Sequence, residues 1–414
     1  MPETLDALAI SAAAERLAPM VRRTPLERSE RLSERLGSEV LLKREDLQLC
    51  RSYKVRGAHN LIASLTAEER ARGVVCASAG NHGQGVAWSC RTLGIRGRVF
   101  LPTNTPRQKR LRIAALGGEW IELVIAGGTY DEASAAAHGA SAETGAVYVH
   151  PFDDARTIAG QGTVGIELVE QAPDLGTVIV PVGGGGLIAG IAVWLRAHAP
   201  DVRILGVEPA GAPSMRAALE DGAPVALHHV DTFVDGAAVG RVGDLTFPIV
   251  RDLVDDIIAV PEGAICSEML ELYQDEGVIA EPAGALASAT LRAHADRVDG
   301  VVACLVSGGN NDVSRYAEVV ERSLLHEGLR HYFLVSFPQE PGALRGFLDD
   351  VLSAGEDIVV FEYVKKNNRE TGPALVGLDL ETPADLEPLL DRMASSRLEI
   401  ERIPPGSPLF SFLL

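Results

Sequence analysis

Residues 43–58, KREDLQLCRSYKVRGA, place one lysine, Lys54, directly after a serine and a tyrosine in a dense cluster of charge. A lysine amine can form a Schiff base with an aldehyde cofactor, provided that its surroundings hold it and favour the neutral form. Lys54 is therefore the first candidate for a catalytic residue. The alternative is that the lysines and arginines of this segment are solvated surface charges paired with Glu45 and Asp46, as in most charge runs.

Two glycine-rich loops could bind anions. The first, SAGNHGQG at residues 78–85, follows the apolar run VVCA, and the second, GGGGL at residues 183–187, follows TVIVPV. Backbone amides between a strand end and a helix start bind anions well, and glycines let the main chain approach a phosphate closely. The second loop lacks the GxGxxG dinucleotide fingerprint, so a single phosphate is favoured over a dinucleotide. In the first loop, Asn81 and His82 could instead simply form a turn.

A third loop, VSGGNND at residues 306–312, follows the apolar run VVACL. The hydroxyl of Ser307 can donate or accept a hydrogen bond at this strand end. A simple turn is the alternative for a serine beside two glycines. The three loops together with Lys54 indicate a ligand site more strongly than any one of them does alone.

These loops need strands that bring them together. Short apolar runs alternate with alanine-rich helical patterns such as residues 83–92 and 130–144. Such alternation predicts an α/β fold with a mostly parallel sheet covered on both faces, whose ligands lie at the carboxyl ends of the strands. The predicted strands are residues 39–42, 73–77, 98–101, 120–124, 177–181, 203–208 and 300–305.

The pattern changes near Gly328. Strands are predicted at residues 331–337, 358–364, 374–380 and 398–403. Two apolar stripes at helical spacing lie between them, formed by Leu344, Phe347, Leu348, Val351 and Leu352 and by Leu386, Leu389, Leu390 and Met393. The order βαββαβ predicts a ferredoxin-like module. We therefore expect a domain at residues 1–325 with a smaller subdomain at roughly 50–150, and a second domain at residues 326–414, joined by a helical segment at residues 313–325.

Composition narrows the function classes. The chain has 414 residues and a formal net charge of -19, which argues against nucleic acid or an anionic membrane as a partner and favours small-molecule chemistry. Five scattered cysteines without a CxxC pair, and an N-terminus without a leader pattern, predict a cytoplasmic protein. The uncharged run at residues 175–195 predicts a buried strand and helix rather than a membrane span, because proline and glycines interrupt it.

Taken together, the motifs resemble the pyridoxal-phosphate enzymes of fold type II, and among these the threonine dehydratases. The resemblance rests on the segment around Lys54 and on SAGNHGQG, GGGGLIAG, GVEP at residues 206–209, EPAGA at residues 281–285 and SGGNND. These motifs follow the family's order over residues 25–312, and they imply its α/β fold with parallel-sheet subdomains. The FPQEPGAL opening of the C-terminal module is similar to the ACT-like regulatory domain of the biosynthetic members.

The resemblance also implies a cofactor, pyridoxal 5'-phosphate, and a role for each motif residue. Lys54 would form the Schiff base and remove the α-proton of the substrate. Asn81 would contact the ring hydroxyl of the cofactor, and Ser307 would face the ring nitrogen. The phosphate would be bound by Gly183, Gly184, Gly185, Gly186 and Leu187, and the substrate carboxylate by Ser78, Ala79, Gly80, Asn81 and His82.

The activity implied by the resemblance is deamination of L-threonine to 2-oxobutanoate and ammonia, the first step of isoleucine biosynthesis. L-serine is a second expected substrate, because a pocket discriminates weakly on one methyl group. Another β-eliminating enzyme of the fold and a non-catalytic amino-acid sensor are the alternatives. Ala79 and Ser214 stand where related serine racemases have a serine and an aspartate, so we expect no racemisation and no metal site at Glu208. The family further implies a homotetramer regulated by isoleucine.

Overall fold

The computed structural model describes residues 5–363, 370–404, 407 and 409–410. The chain divides into two compact units, Met1–Asp312 and Val313–Leu414, each with its own apolar core. The sequence placed the division after residue 325, whereas the contacts group residues 313–325 with the second unit.

The strands of the first unit include all those predicted between residues 39 and 305, with bounds that differ by at most two residues. The strands are β1 (Leu26–Arg28), β2 (Val40–Arg44), β3 (Val74–Ala77), β4 (Gly97–Leu101), β5 (Ile121–Ile125), β6 (Val147–Tyr148), β7 (Leu175–Pro181), β8 (Arg203–Pro209), β9 (Asp256–Val260) and β10 (Val301–Val306). The helices are α1 (Ala7–Leu17), α2 (Glu30–Leu36), α3 (Lys54–Ala63), α4 (Ala67–Arg72), α5 (Asn81–Leu93), α6 (Arg107–Gly117), α7 (Tyr130–Thr144), α8 (Ala155–Gln171), α9 (Gly186–His198), α10 (Ser214–Asp221), α11 (Thr246–Leu253), α12 (Glu262–Glu276) and α13 (Pro282–Ala289).

These strands form two sheets. The larger has the order β1-β2-β10-β7-β8-β9, and its pairs are parallel except for β1 with β2. The smaller has the order β5-β4-β3-β6, with parallel pairs throughout. Parallel strands covered on both faces can be apolar along their whole length, and Ile179 in β7 and Cys304 in β10 are fully buried. The uncharged run at residues 175–195 is β7 and most of α9, inside the larger core.

The sequence missed three short strands, β1, β6 and β9. β1 is an antiparallel edge strand whose three residues, LER, include two charges. β6 has only two residues, and β9, DIIAV, is too short to be distinguished from a helical pattern by periodicity. In each case the tertiary pairing decides the structure rather than the local sequence.

The carboxyl ends of β3, β7 and β10 carry the three loops. β3 ends at Ala77 and leads into α5, β7 ends at Pro181 before the four glycines and α9, and β10 ends at Val306. Helix α3 begins at Lys54 itself. This is the edge at which parallel α/β sheets bind ligands.

The second unit is the predicted ferredoxin-like module preceded by a helix. Its elements are α14 (Tyr316–His326), β11 (Arg330–Pro338), α15 (Ala343–Asp350), β12 (Glu356–Tyr363), β13 (Thr371–Leu380), α16 (Leu386–Ser395) and β14 (Glu399–Ile403). The sheet order is β12-β13-β11-β14 with antiparallel pairs, so the order βαββαβ is confirmed. Helix α14 is bonded to this sheet, since Tyr332 Oη donates to Glu321 Oε1 at 2.6 Å. Val364, the predicted end of a strand, lies outside the described residues.

Two further observations concern the class of protein. Among the described residues, no helix combines the length and the apolar character that a bilayer crossing requires. The cysteines are free thiols with buried side chains, namely Cys50, Cys76, Cys90, Cys266 and Cys304.

Candidate active site

Three of the charged side chains that flank Lys54 in the sequence are buried. Lys43 and Glu45 are fully buried, and Arg56 exposes 2% of its surface. Two hydrogen bonds of 2.8 and 2.9 Å join Arg56 to Glu45. One oxygen of Glu167 lies 2.6 Å from Lys43 Nζ and the other lies 2.7 Å from Arg56. These residues are therefore not a solvated charge run.

This network fixes the start of α3. It contains two positive and two negative side chains, so the cost of burying each charge is offset by its partners. Burial acts to raise the pKa of the Glu45 carboxyl, but nearby Arg56 and Lys43 hold that pKa below its ordinary value. Removing one member would leave an unpaired buried charge, at a typical cost of about 3–5 kcal/mol. Because Arg56 is in the first turn of α3, the network positions the residue that begins this helix, Lys54.

Lys54 is half-buried, and its amine has an unusual environment for a lysine. Its Nζ donates to Pro151 O at 3.2 Å and lies 5.2 Å from the ring centroid of Tyr53. In the part of the chain that the structure describes, no carboxylate oxygen lies within 4.0 Å of this nitrogen. Lys43, in contrast, is paired with Glu167. Within the described residues, the Lys54 amine is thus free of an ion pair and available for bonding to a ligand.

Residues 183–187 form a cradle of backbone amides. None of these amides has a hydrogen-bond acceptor among the described residues, although most are buried. Buried amides without a protein partner are rare and indicate a site where a ligand supplies the acceptor. Gly185 has φ +90°, which residues with a side chain rarely adopt. A Cβ on Gly184 would lie 2.3 Å from the ring of Phe152, and a Cβ on Gly186 would lie 2.9 Å from its Cα.

The SAGNHGQG loop leads from β3 into α5. Its turn is closed by a hydrogen bond of 3.2 Å from Gly80 N to Ser78 Oγ, and Ala79 packs against the apolar core of the smaller sheet. The amides of Asn81 and His82 have no acceptor within the described ranges. They are therefore available to an anion at the start of the helix.

The side chain of His82 has a structural role. It is buried, and its Nε2 donates to Val149 O at 2.8 Å. Burial, together with the nearby charge of Lys54, lowers its pKa to about 3. The imidazole is therefore neutral near pH 7, so only the backbone of His82 is suited to bind a carboxylate.

The side chain of Asn81 belongs to a hydrogen-bonded chain that no sequence motif predicts. Its Nδ2 donates to Glu281 Oε1 at 2.6 Å, and its Oδ1 accepts from Asn310 Nδ2 at 2.7 Å. Asn310 also donates to Cys50 O at 2.8 Å. Burial and the charge of Asp235 raise the pKa of Glu281 to about 7. The EPAGA and SGGNND motifs contain these partners, but a motif does not reveal which distant residue its side chains contact.

Ser307 directly follows β10 and is buried. Its Oγ donates to Ala283 O at 3.0 Å, so its lone pairs remain available to accept a further hydrogen bond. Its carbonyl oxygen accepts from Tyr53 N at 3.1 Å. The third loop is thus bonded to the residue that precedes Lys54.

Contacts link Lys54 to all three loops, in two cases through neighbouring residues. Tyr53, which precedes Lys54, is bonded to Ser307 in the third loop. Lys54 Nζ donates to the carbonyl of Pro151, and the next residue, Phe152, packs against the four glycines. Gly85 packs so closely on α3 that a Cβ there would lie 3.3 Å from Lys54 C. An amine and a cradle for an anion are the groups that pyridoxal phosphate requires, for its aldehyde and its phosphate. The residues present therefore fit this cofactor.

Glu208 is bound by backbone and hydroxyl donors in this structure. Its carboxylate accepts from Met215 N at 2.6 Å and Arg216 N at 3.0 Å, and from Ser214 Oγ at 3.4 Å. Burial raises its pKa to about 7. Over the described residues, no group of three or more His, Cys, Asp or Glu side chains is arranged to hold a metal ion. Glu208 thus acts as the cap of α10.

The chain is similar to known proteins along nearly its whole length. The family of pyridoxal-phosphate dependent enzymes matches residues 17–308, and the C-terminal regulatory domain of threonine dehydratase matches residues 321–413. The biosynthetic L-threonine dehydratase IlvA of Mycobacterium tuberculosis is 57% identical over 99% of this chain and 96% of its own length. That of Corynebacterium glutamicum is 52% identical over 99% and 96%.

A solved structure supports the same relationship. The processed form of threonine deaminase isoform 2 from Solanum lycopersicum superposes with a TM-score of 0.74 at 40% identity, covering 77% of this chain and 87% of that one. The sequence matches extend over both units. The chain therefore belongs to the pyridoxal-phosphate dependent enzymes, and within them to the biosynthetic threonine dehydratases with a C-terminal regulatory domain.

Proposed function

We propose that the chain converts L-threonine to 2-oxobutanoate and ammonia, with pyridoxal 5'-phosphate bound beside Lys54. One observation carries this proposal. In the described part of the chain, the amine of Lys54 has no carboxylate partner, and it is connected through Pro151 and Phe152 to a cradle of unpaired backbone amides. In the net reaction, the α-proton and the β-hydroxyl of threonine leave as water. One water is consumed when the resulting enamine hydrolyses, so each threonine yields one 2-oxobutanoate and one ammonia.

Eight residues would hold the cofactor through their contacts at the strand ends. The amides of residues 183–187 would bind the phosphate, Lys54 Nζ would bond to the aldehyde carbon, Asn81 would contact the ring hydroxyl and Ser307 would interact with the ring nitrogen. When bound, the cofactor supplies a conjugated ring that stabilises negative charge at the α-carbon of the substrate. A serine hydroxyl at the ring nitrogen, unlike a carboxylate, does not enforce a positive charge there, which favours prompt loss of the β-hydroxyl over side reactions.

The remaining steps belong to side chains and amides of the chain itself. Lys54 Nζ takes the α-proton of the substrate, and the carbonyl of Pro151 orients this nitrogen. The substrate carboxylate is bound by residues 78–82 through the unpaired amides at the start of α5. Ala79 has no group that could donate a proton to the second face of the α-carbon, so elimination proceeds without racemisation.

The test is an assay of 2-oxobutanoate formation from L-threonine by the wild type, Lys54→Ala and Lys54→Arg. Both variants should lose turnover, because neither side chain supplies a primary amine that can form a Schiff base, and Lys54→Arg controls for the loss of positive charge. Turnover retained in either variant contradicts the mechanism. A higher kcat/KM for L-serine than for L-threonine would assign the chain to serine instead.

We further propose that isoleucine binds the C-terminal unit and lowers activity in a homotetramer that acts in the cytoplasm. The match to a regulatory domain and the ferredoxin-like fold support an effector site, and the buried free thiols suit a reducing compartment. Isoleucine can act only if it binds two states of the protein with different affinity. Threonine saturation curves and thermal unfolding with and without isoleucine test this, and no change in either contradicts it. Sedimentation measures the oligomeric state.

A further inference from the structure

Two donors reach the Gly184 carbonyl behind the four glycines, the Thr246 hydroxyl and, at the longer distance of 3.4 Å, the Gly243 N–H. Thr246 is fully buried, and its Oγ1 donates to Gly184 O at 2.6 Å. A trans peptide directs its C=O and its N–H to opposite sides, and the described residues contain no cis peptide bond. The bond therefore turns the N–H of Gly185 away from Thr246. This N–H has no acceptor among the described residues.

Thr246 also occupies the space where a side chain of Gly185 would lie. A Cβ built on Gly185 would lie 2.9 Å from Thr246 Oγ1 and 2.8 Å from Met215 Cε. The glycine loop is thus packed against fixed side chains on one face. The face that carries the Gly185 N–H is left for a ligand.

Thr246 is itself fixed by Asp153. The carboxylate of Asp153 accepts the backbone N–H groups of Asp244 at 3.0 Å, Leu245 at 2.9 Å and Thr246 at 3.2 Å, at the start of α11. A negative charge is favourable at this end of a helix. The N–H of Asp153 in turn donates to His150 Nδ1 at 2.7 Å. Burial lowers the pKa of His150 to about 4, so this nitrogen keeps its lone pair near pH 7.

The segment that holds Thr246 also contacts Lys54. Pro151 accepts the hydrogen bond of Lys54 Nζ, the ring of Phe152 packs against Gly184, and Asp153 holds the start of α11. Three consecutive residues therefore set the lysine amine and the glycine loop relative to each other.

We propose that Thr246 is a positioning residue for the cofactor phosphate. Its hydroxyl holds the Gly184 carbonyl outward and thereby presents the Gly185 amide to the phosphate, with Asp153 fixing Thr246 in place. Thr246 touches neither the substrate nor the cofactor. This inference rests on the proposed function, because it assigns the anion at the glycine loop to the phosphate of pyridoxal phosphate.

The test compares pyridoxal 5'-phosphate with pyridoxal, which lacks the phosphate, by equilibrium dialysis of the full chain. Thr246→Val has the same shape as the wild type but no hydroxyl, so it should bind pyridoxal phosphate about tenfold more weakly and pyridoxal about equally well. Thr246→Ser keeps a hydroxyl and should restore most of the preference for the phosphate. Asp153→Asn weakens the hydrogen bonds that fix Thr246 and should reduce the same preference. It tests the proposal if Thr246→Val does not fold.

Thr177→Val is the matched control. Thr177 is also fully buried, and its Oγ1 donates to Asp299 O at 2.9 Å, near the opposite end of β7 from the glycines. This variant should leave the preference for the phosphate unchanged. If the wild type itself does not prefer pyridoxal phosphate over pyridoxal, the proposed function fails. If the wild type has the preference and Thr246→Val keeps it, or Thr177→Val loses it equally, the positioning role is overturned.

Discussion

The loops that begin α5 and α9 present unpaired amides at the ends of parallel strands, yet they are built in opposite ways. In residues 183–187, side chains are absent from the four glycines, and Phe152 and Thr246 pack against them. In residues 78–82, the polar side chains of Asn81 and His82 have partners of their own. One loop offers only main chain to its ligand, and the other offers main chain together with a fixed side chain.

This difference suits two kinds of recognition. A phosphate can be bound by main-chain donors alone, because it accepts hydrogen bonds from many directions. A ring hydroxyl and an amino-acid carboxylate must be placed in one orientation, and a side chain whose amide is fixed at both ends can do this. The glycine loop should therefore be sensitive to any added atom, and the α5 loop to the loss of particular hydrogen bonds.

The largest effect is expected for Gly184→Ala. The added methyl group would lie 2.3–2.4 Å from three atoms of the Phe152 ring, so the loop or the ring must move. Overpacking typically costs about 1–3 kcal/mol, and we expect cofactor affinity to fall by roughly a hundredfold, as measured by equilibrium dialysis. Gly139→Ala is the control, because Gly139 is exposed in α7 with nothing within 4 Å of a built Cβ. Equal affinity in the two variants contradicts a preorganised amide cradle.

A smaller effect, on catalysis more than on cofactor affinity, is expected for Asn81→Leu. Leucine has a similar volume but removes one donor to Glu281 and one acceptor of Asn310, at a typical cost of about 1–3 kcal/mol. We expect kcat/KM for L-threonine to fall about tenfold to a hundredfold, with a smaller loss of cofactor affinity than in Gly184→Ala.

Asn310→Leu tests which of the two hydrogen bonds of Asn81 matters more for catalysis. It removes the donor to Asn81 but leaves the bond between Asn81 and Glu281 intact. Its loss of kcat/KM should therefore be the smaller of the two. A larger loss in Asn310→Leu would mean that Glu281 does not orient Asn81.

The same two loops show how far the sequence predicts the site. Continuous apolar runs identified β3 and β7, and the motifs after them identified Asn81 and the glycines, because these signals are local. The partners were not predicted: Glu281 is 200 residues from Asn81, and Glu167 is 124 residues from Lys43. Thr246 contributes one hydroxyl behind the glycine loop and belongs to no motif. Such contacts are set by tertiary packing, which no local pattern records.

The smallest effect on activity is expected for Glu281→Gln, whose effect on stability depends on pH. Burial and Asp235 raise the pKa of Glu281 from 4.5 to about 7 in the folded protein, against the smaller effects of Asn81 and Lys109. The folded state therefore binds a proton more tightly than the unfolded state. The contribution of Glu281 to the free energy of unfolding is fully present below about pH 4.5. It falls by roughly 3 kcal/mol as the pH rises to about 7.

Glutamine does not titrate, but its carbonyl can still accept from Asn81. We therefore expect urea unfolding of Glu281→Gln to show a smaller loss of stability between about pH 5 and pH 8 than the wild type shows. Glu208, whose pKa is also raised to about 7 by burial, contributes equally to both proteins, so the difference between them isolates Glu281. Parallel pH curves would contradict the assignment. Retained activity of Glu281→Gln at about pH 6 would further indicate that the α5 loop uses Glu281 as an acceptor for Asn81 and not as a charge.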